Sequence, residues 1–277
     1  MGTIPFQTWD VFTKTRFFGN QLAVVFDAGG LSDAQMQTIA AEFNLAESVF
    51  ISAPDDSAHT AKVRIFTPKY EMPFAGHPTV GASIAIATAG KLQGPLHLEL
   101  KAGLFRIELS NDDGHIFAEF ENPNLPSENH TAPNIGDIEA ALSLPAGSVS
   151  SGDHRPRIIG AGVNFLYVHA SLDHVRSARV NSAAFDALGL QEAVGVLLYA
   201  EGGDGDGVDF HVRMFAPGAG VAEDAATGSA AAALPGQLAL AETLRDGEHH
   251  LTIEQGIEMG RPSIIKLRMD MLSLIHI

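Results

Sequence analysis

The sequence has no cysteine in its 277 residues. Disulfides, zinc–cysteine centres and thiol nucleophiles are therefore excluded, and a reducing compartment fits. Positive charge is also scarce: 17 Lys and Arg stand against 33 Asp and Glu, for a net charge of −16. A surface of that sign repels nucleic acid and anionic membranes, and no Lys/Arg cluster interrupts it. There is no run of eighteen apolar residues of the kind that spans a bilayer. The opening MGTIPFQTWDVFTKTRFFGN lacks the basic start and apolar run of a signal peptide. The expectation is a cytoplasmic protein with neither nucleic-acid nor membrane partners. Also missing are a phosphate-cradling G-x-x-x-x-G-K and a zinc-binding H-E-x-x-H. GAGVN at 160–164 lacks the third glycine of a dinucleotide fingerprint, and the pair His249–His250 opens a polar strand, where it reads as exposed. No metal and no organic cofactor is expected. The 16 Phe fall mostly in apolar runs and read as core.

What is present is ordinary for a folded chain able to bury a large core: 45% hydrophobic and 18% charged residues. Alternation predicts strands over 4–12, 21–26, 48–52 and 62–66, and a meander over 96–100, 104–109 and 116–120. A helix is predicted over 31–44, with Ser32 as N-cap and Met36, Ile39, Ala40 and Phe43 on one face. A second, rich in Ala and Ile, runs from about Pro78 to Ala89. Residues 121–134 are polar with three prolines and read as a linker. Beyond them come helices at 135–144, 182–189 and about 226–241, and strands at 164–169, 194–200, 208–215, 249–254 and 263–268. Gly202 to Gly207 reads as an exposed hairpin tip.

The two halves repeat. VRIFTP begins at Val63 and VRMFAP at Val212, matching Arg64 with Arg213, Phe66 with Phe215 and Pro68 with Pro217. Each then runs through a loop into a small-residue helix, AGHPTVGAS from Ala75 and EDAATGSAA from Glu223, pairing Thr79 with Thr227. Upstream, GNQLAV resembles VNFLYV through Asn20/Asn164 and Leu22/Leu166. Several matches in one order point to a duplicated unit, with domains at 1–122 and 135–277 and a linker at about 123–134. A cleft between two such domains is the default binding site.

Both loops open helices, and a helix N-terminus presents unpaired N–H groups and a positive dipole end. Pro78 suits the first helical position, and Gly228 permits close backbone approach to a ligand. Such a site fits a small carboxylate substrate or a developing oxyanion. Glu47 lies between a helix and a strand, where a desolvated carboxyl can be tuned for proton transfer. His77 lies in the first loop and Asp224 in the second. Nothing in the residues alone selects Glu47 from the other acidic side chains.

These segments resemble the phenazine-biosynthesis (PhzF-like) family, whose fold is shared with diaminopimelate epimerase. The resemblance rests on FFGNQLAVVF at 17–26, IAAEFNLAESVFI at 39–51, RIFTPKYEMPFAGHPTVGA at 64–82, RMFAPGAGVAEDAATGSAAAAL at 213–234 and QGIEMGRPS at 255–263. It implies an α/β (α+β) fold of two pseudo-symmetric domains, each a mixed β-sheet wrapped around a central helix, and a homodimer. It implies isomerisation of the trans-2,3-dihydro-3-hydroxyanthranilate type without metal or cofactor. Glu47 would be the general acid/base and His77 and Asp224 the orienting residues; Gly76 and Ser229 would cradle the ligand, beside Thr79, Thr227 and Gly228. Four features depart from the family pattern. Gln21 and Ala225 stand where Pro is common, Pro235 should end or kink the last helix, and the closing MDMLSLIHI does not resemble the usual ending. An epimerase of another amino-acid-like acid stays open, without the two-thiol chemistry, as does a non-catalytic binding protein on the same fold.

Overall fold

The computed structural model describes residues 3–190 and 192–271. The chain divides into two compact units, Met1–Glu121 and Asn122–Ile277. The last six residues of the closing segment expected to be atypical, 272–277, lie outside the described residues.

The first unit contains β1 (Phe6–Val11), β2 (Asn20–Val25), α1 (Asp33–Phe43), β3 (Glu47–Ser52), β4 (Ala61–Phe66), β5 (Glu71–Met72), α2 (Gly76–Gly90), β6 (Leu96–Leu100), β7 (Gly103–Asp112) and β8 (His115–Phe120). Its sheet runs β1-β2-β3-β4-β6-β7-β8, with β5 attached to β4. The β2–β3 and β4–β6 pairs are parallel and the others antiparallel. Strand alternation distributes the core over two faces. Val24, Val49, Ile51 and Ile65 meet α2, while Val25, Phe50 and Phe66 meet Met36 and Ala40 of α1. α1 starts in a capping box, with Ser32 bonded to the Gln35 N–H and the Gln35 side chain returning to the Ser32 N–H.

α2 is buried on nearly every side, as a helix enclosed by a sheet must be. It touches β1, β2 and β3 and also β8 at the far edge, so the sheet curls around it. Gly81 permits the close approach: a Cβ there would lie 2.5 Å from Leu22 Cδ2 and 2.7 Å from Val11 Cγ2.

The second unit contains β9 (Ser127–His130), α3 (Ile135–Ala141), β10 (Arg157–Gly160), β11 (Asn164–His169), α4 (Leu172–Ser177), α5 (Ser182–Ala187), β12 (Val196–Glu201), β13 (Phe210–Ala216), β14 (Val221–Asp224), α6 (Gly228–Leu240), β15 (Gly247–Gln255) and β16 (Ser263–Met271). Its sheet runs β16-β15-β13-β12-β11-β10-β9, with β14 on β13. From β10 to β16 the pairings repeat, in order and in sense, those from β1 to β7. The sequence repeat is thus a repeat of topology. α6 plays the part of α2, touching β9, β10 and β11 near one edge and β16 at the other.

Two expectations are corrected. The segment 123–134, read as a linker, supplies β9, which pairs with β10. All four of its residues, Ser127 to His130, are exposed, so no apolar alternation marked it as a strand. Of the end or kink expected at Pro235, the end does not occur: α6 continues to Leu240. The enclosing strands hold the helix across the missing N–H, and beyond it the buried Gln237 ties the helix to Arg157, to the Arg155 carbonyl and to the Tyr199 hydroxyl. Among the described residues no helix is long and apolar enough to cross a membrane.

Candidate active site

Asn44 adopts a left-handed conformation (φ 53°) and closes α1. Three residues later Glu47 begins β3, in parallel register with the fully buried Leu22. Because α2 docks on Leu22 through Gly81, its first turn arrives beside Glu47. His77 Nδ1 lies 3.3 Å from Glu47 Oε2, with the His77 side chain 4% exposed and that of Glu47 17%. The contact has the geometry of an ion pair. Burial, however, pushes the imidazole pKa down to about 4, against an opposing hydrogen bond with the Gln21 backbone. At neutral pH the ring is therefore uncharged. Its Nε2 is buried and has no hydrogen-bond partner among the described residues.

Gly76 and His77 are the first two residues of α2, and Pro78 is the third rather than the first. A proline is tolerated anywhere in the first turn, because those N–H groups have no intrahelical acceptor. Thr79, in the same turn, is fully buried, and its hydroxyl donates to the Ala75 carbonyl at 2.8 Å. Its expected repeat partner Thr227 is instead the N-cap of α6; the two helices begin at different points of the aligned motif.

In the second unit Asp224 ends β14, and Gly228 and Ser229 open α6. The Thr227 hydroxyl donates to Asp224 Oδ2 at 2.6 Å. The fully buried Gln255 organises this loop: its amide donates to the Asp224 carbonyl at 2.8 Å and to Thr227 Oγ1 at 3.0 Å, and its oxygen accepts from the Thr227 N–H at 3.1 Å. Sequence reading missed this role, although QGIEMGRPS was singled out as a segment. The next residue, Gly256, has φ 78°, and a Cβ would lie 2.6 Å from the Arg261 carbonyl and 2.7 Å from that of Ala225. Only glycine fits that turn.

The matched Arg64 and Arg213 have a structural task. Arg64 bonds Glu71 of β5, and Arg213 grips Glu223 of β14 with two bonds of 2.8 Å. Each guanidinium also lies over the matched ring, Phe66 at 5.1 Å or Phe215 at 4.8 Å. Both pairs therefore anchor the short strand from which a candidate loop departs.

The site does not repeat symmetrically. Opposite Leu166, the repeat mate of Leu22, the second sheet places Val196, where the first places Glu47. The Glu47–His77 contact thus has no counterpart at this position of the second unit, and the hydrogen-bonded Asp224 loop belongs to the second unit.

Two mixed sheets, each curled on a buried helix, with His77 in the opening turn of one helix and Asp224 just ahead of the other, define an epimerase-like class of α/β fold. Residues 9–276 match the family model described as phenazine biosynthesis-like protein. The chain is 42% identical to an uncharacterized isomerase of Mesorhizobium japonicum over 276 residues, 97% of this chain and 91% of that one. It is 34% identical to trans-2,3-dihydro-3-hydroxyanthranilate isomerase of Pseudomonas fluorescens over 259 residues, 92% and 87% of the two chains. A crystal structure of a PhzF-family phenazine biosynthesis protein from Bacillus anthracis resembles it with a TM-score of 0.89 and 26% identity, covering 98% and 91%. The chain belongs to the phenazine biosynthesis-like (PhzF) family, and it is an isomerase.

Proposed function

We propose that the protein moves a proton between carbons of a small carboxylate substrate, with Glu47 as general acid/base and without metal or organic cofactor. The observation that carries this reading is the 3.3 Å approach of Glu47 to a buried His77, whose uncharged ring leaves the carboxylate as the base. Glu47 takes a proton from one carbon, and the C–H electron pair passes into the conjugated system. The same carboxyl returns a proton to another carbon, so the product is an isomer and no electrons are gained or lost. His77 and Asp224 orient the substrate. With Nδ1 turned toward Glu47 and Gln21, the His77 Nε2 accepts from a substrate N–H or O–H. Gly76 and Ser229, at the two helix starts, cradle the negative end, beside Thr79, Thr227 and Gly228.

The relative at 34% identity supplies the first substrate to try, trans-2,3-dihydro-3-hydroxyanthranilate. The test is incubation with it in D₂O, beside a Glu47→Gln variant, with product and deuterium followed by NMR. Expected are turnover with deuterium at the carbon that gains the proton, and a loss of about 10²–10⁴-fold in the variant. Equal turnover in Glu47→Gln would overturn the role of Glu47. Absence of any exchange in folded wild-type protein would remove this substrate.

A further inference from the structure

A second cluster lies entirely in the second unit. His169 ends β11, Glu201 ends its parallel neighbour β12, and His154 closes a 3-10 turn, Gly152–His154, ahead of β10. One nitrogen from each imidazole and one Glu201 oxygen all lie within 4.8 Å of one another. His169 Nε2 is 2.8 Å from Glu201 Oε2, and the two imidazole rings are 4.5 Å apart. The sequence offered no metal motif here, because the three residues are scattered along the chain and only strand register joins them.

We infer that His154, His169 and Glu201 form a divalent-metal site suited to zinc. Two imidazoles and one carboxylate are a common zinc donor set. Ligand atoms at the usual bond lengths stand roughly 3.3 Å apart around a tetrahedral ion, so small side-chain rotations close the set. The surroundings supply the outer hydrogen bonds that ligating imidazoles use. His169 Nδ1 faces the Ser150 hydroxyl at 2.6 Å, leaving Nε2 for the ion. His154 has a hydroxyl at each nitrogen, Tyr199 at 3.0 Å and Thr243 at 3.2 Å, so whichever nitrogen binds, the other keeps a partner. The Tyr199 hydroxyl is itself held by Gln237 at 3.1 Å. Both imidazoles are half-buried and Glu201 is exposed, which lets an ion enter and leaves a fourth position for water. The bound ion would clip the 3-10 turn to the ends of two strands.

The test is calorimetric titration of the chelator-stripped, full-length protein with zinc chloride. Expected is one zinc per chain, with affinity reduced at least about tenfold in His169→Ala and in Glu201→Gln and unchanged in the control His250→Ala. Zinc should also raise the thermal midpoint of the wild type and not of Glu201→Gln. If His169→Ala fails to fold by circular dichroism, Glu201→Gln decides alone, since its amide keeps the shape and loses the charge. No binding by the wild type, binding indifferent to Glu201→Gln, or binding lost only in His250→Ala would each overturn the assignment.

Discussion

His77 is a site residue whose burial changes its acid–base chemistry. Its ring is buried at the start of α2, and burial lowers its pKa from 6.5 to about 4. In the unfolded chain the ring takes up a proton as pH falls through 6.5, while in the folded protein it resists until about 4. The unfolded state therefore binds more protons across that window, and stability falls as pH falls through it. At about 1.4 kcal/mol per pH unit, the loss approaches roughly 3 kcal/mol. A His77→Gln variant removes the titrating group, so its unfolding free energy between pH 7 and 4 should fall less steeply. Urea denaturation at several pH values checks this, and parallel curves would contradict it. The pH dependence, rather than the absolute stability, is the readout, which separates the titration from simple loss of packing.

At the scale of elements, the two arginine clips should differ despite their matched sequences. Arg213 is 3% exposed; besides Glu223 it donates to the carbonyls of Val175, Arg176 and Ala178, and so caps the end of α4. Arg64 is 22% exposed, and its second partner Asp33 is 84% exposed. Replacing Arg213 by Met leaves buried acceptors and the Glu223 charge without compensation, and should cost about 3–5 kcal/mol. Arg64→Met should cost about 1–2 kcal/mol, because Asp33 regains water. Denaturant midpoints of the two variants make the comparison, and equal losses would refute it. A second buried network lies beside the first. His211 is fully buried between Glu254 at 2.5 Å and Glu258 at 3.0 Å. Burial draws its pKa down, but the hydrogen bonds to Glu258 and Glu254 outweigh it and raise it. Glu254 also accepts the N–H groups of Asp204 and Gly205, so the glycine-rich tip between β12 and β13 is tied to β15 at its base.

Across the whole molecule the dominant electrostatic fact is the net charge of −16. Like charges repel more in the compact state than in the expanded one, and salt screens that repulsion. The thermal midpoint should therefore rise by several degrees between about 10 mM and about 300 mM sodium chloride. Differential scanning calorimetry measures it, and a flat or falling midpoint would mean that local ion pairs outweigh the general repulsion. The same scale shows what duplication produced. Seven strands repeat their pairings from one unit to the other, yet each sheet gains an eighth strand at a different place, β8 beyond β7 in the first and β9 beyond β10 in the second.

The sequence by itself determined what short-range patterns can carry. Apolar alternation located most strands, Ser32 marked a helix start, and the ordered matches around VRIFTP and VRMFAP revealed the repeat. The motifs around Glu47, His77 and Asp224 pointed to the family to which the chain belongs. Tertiary structure decided what depends on pairing at long range. β9 is recognisable only by its bonds to β10, since its side chains are all exposed. Thr79 spends its hydroxyl on its own helix, and Gln255 reaches back 28 residues to hold Thr227 and, through it, the Asp224 loop. Arg64 and Arg213 are alike in sequence and unlike in burial. His154, His169 and Glu201 converge only because β11 and β12 run side by side. Periodicity is local and survives in the chain, whereas burial and the meeting of distant polar groups are set by strand register and helix docking.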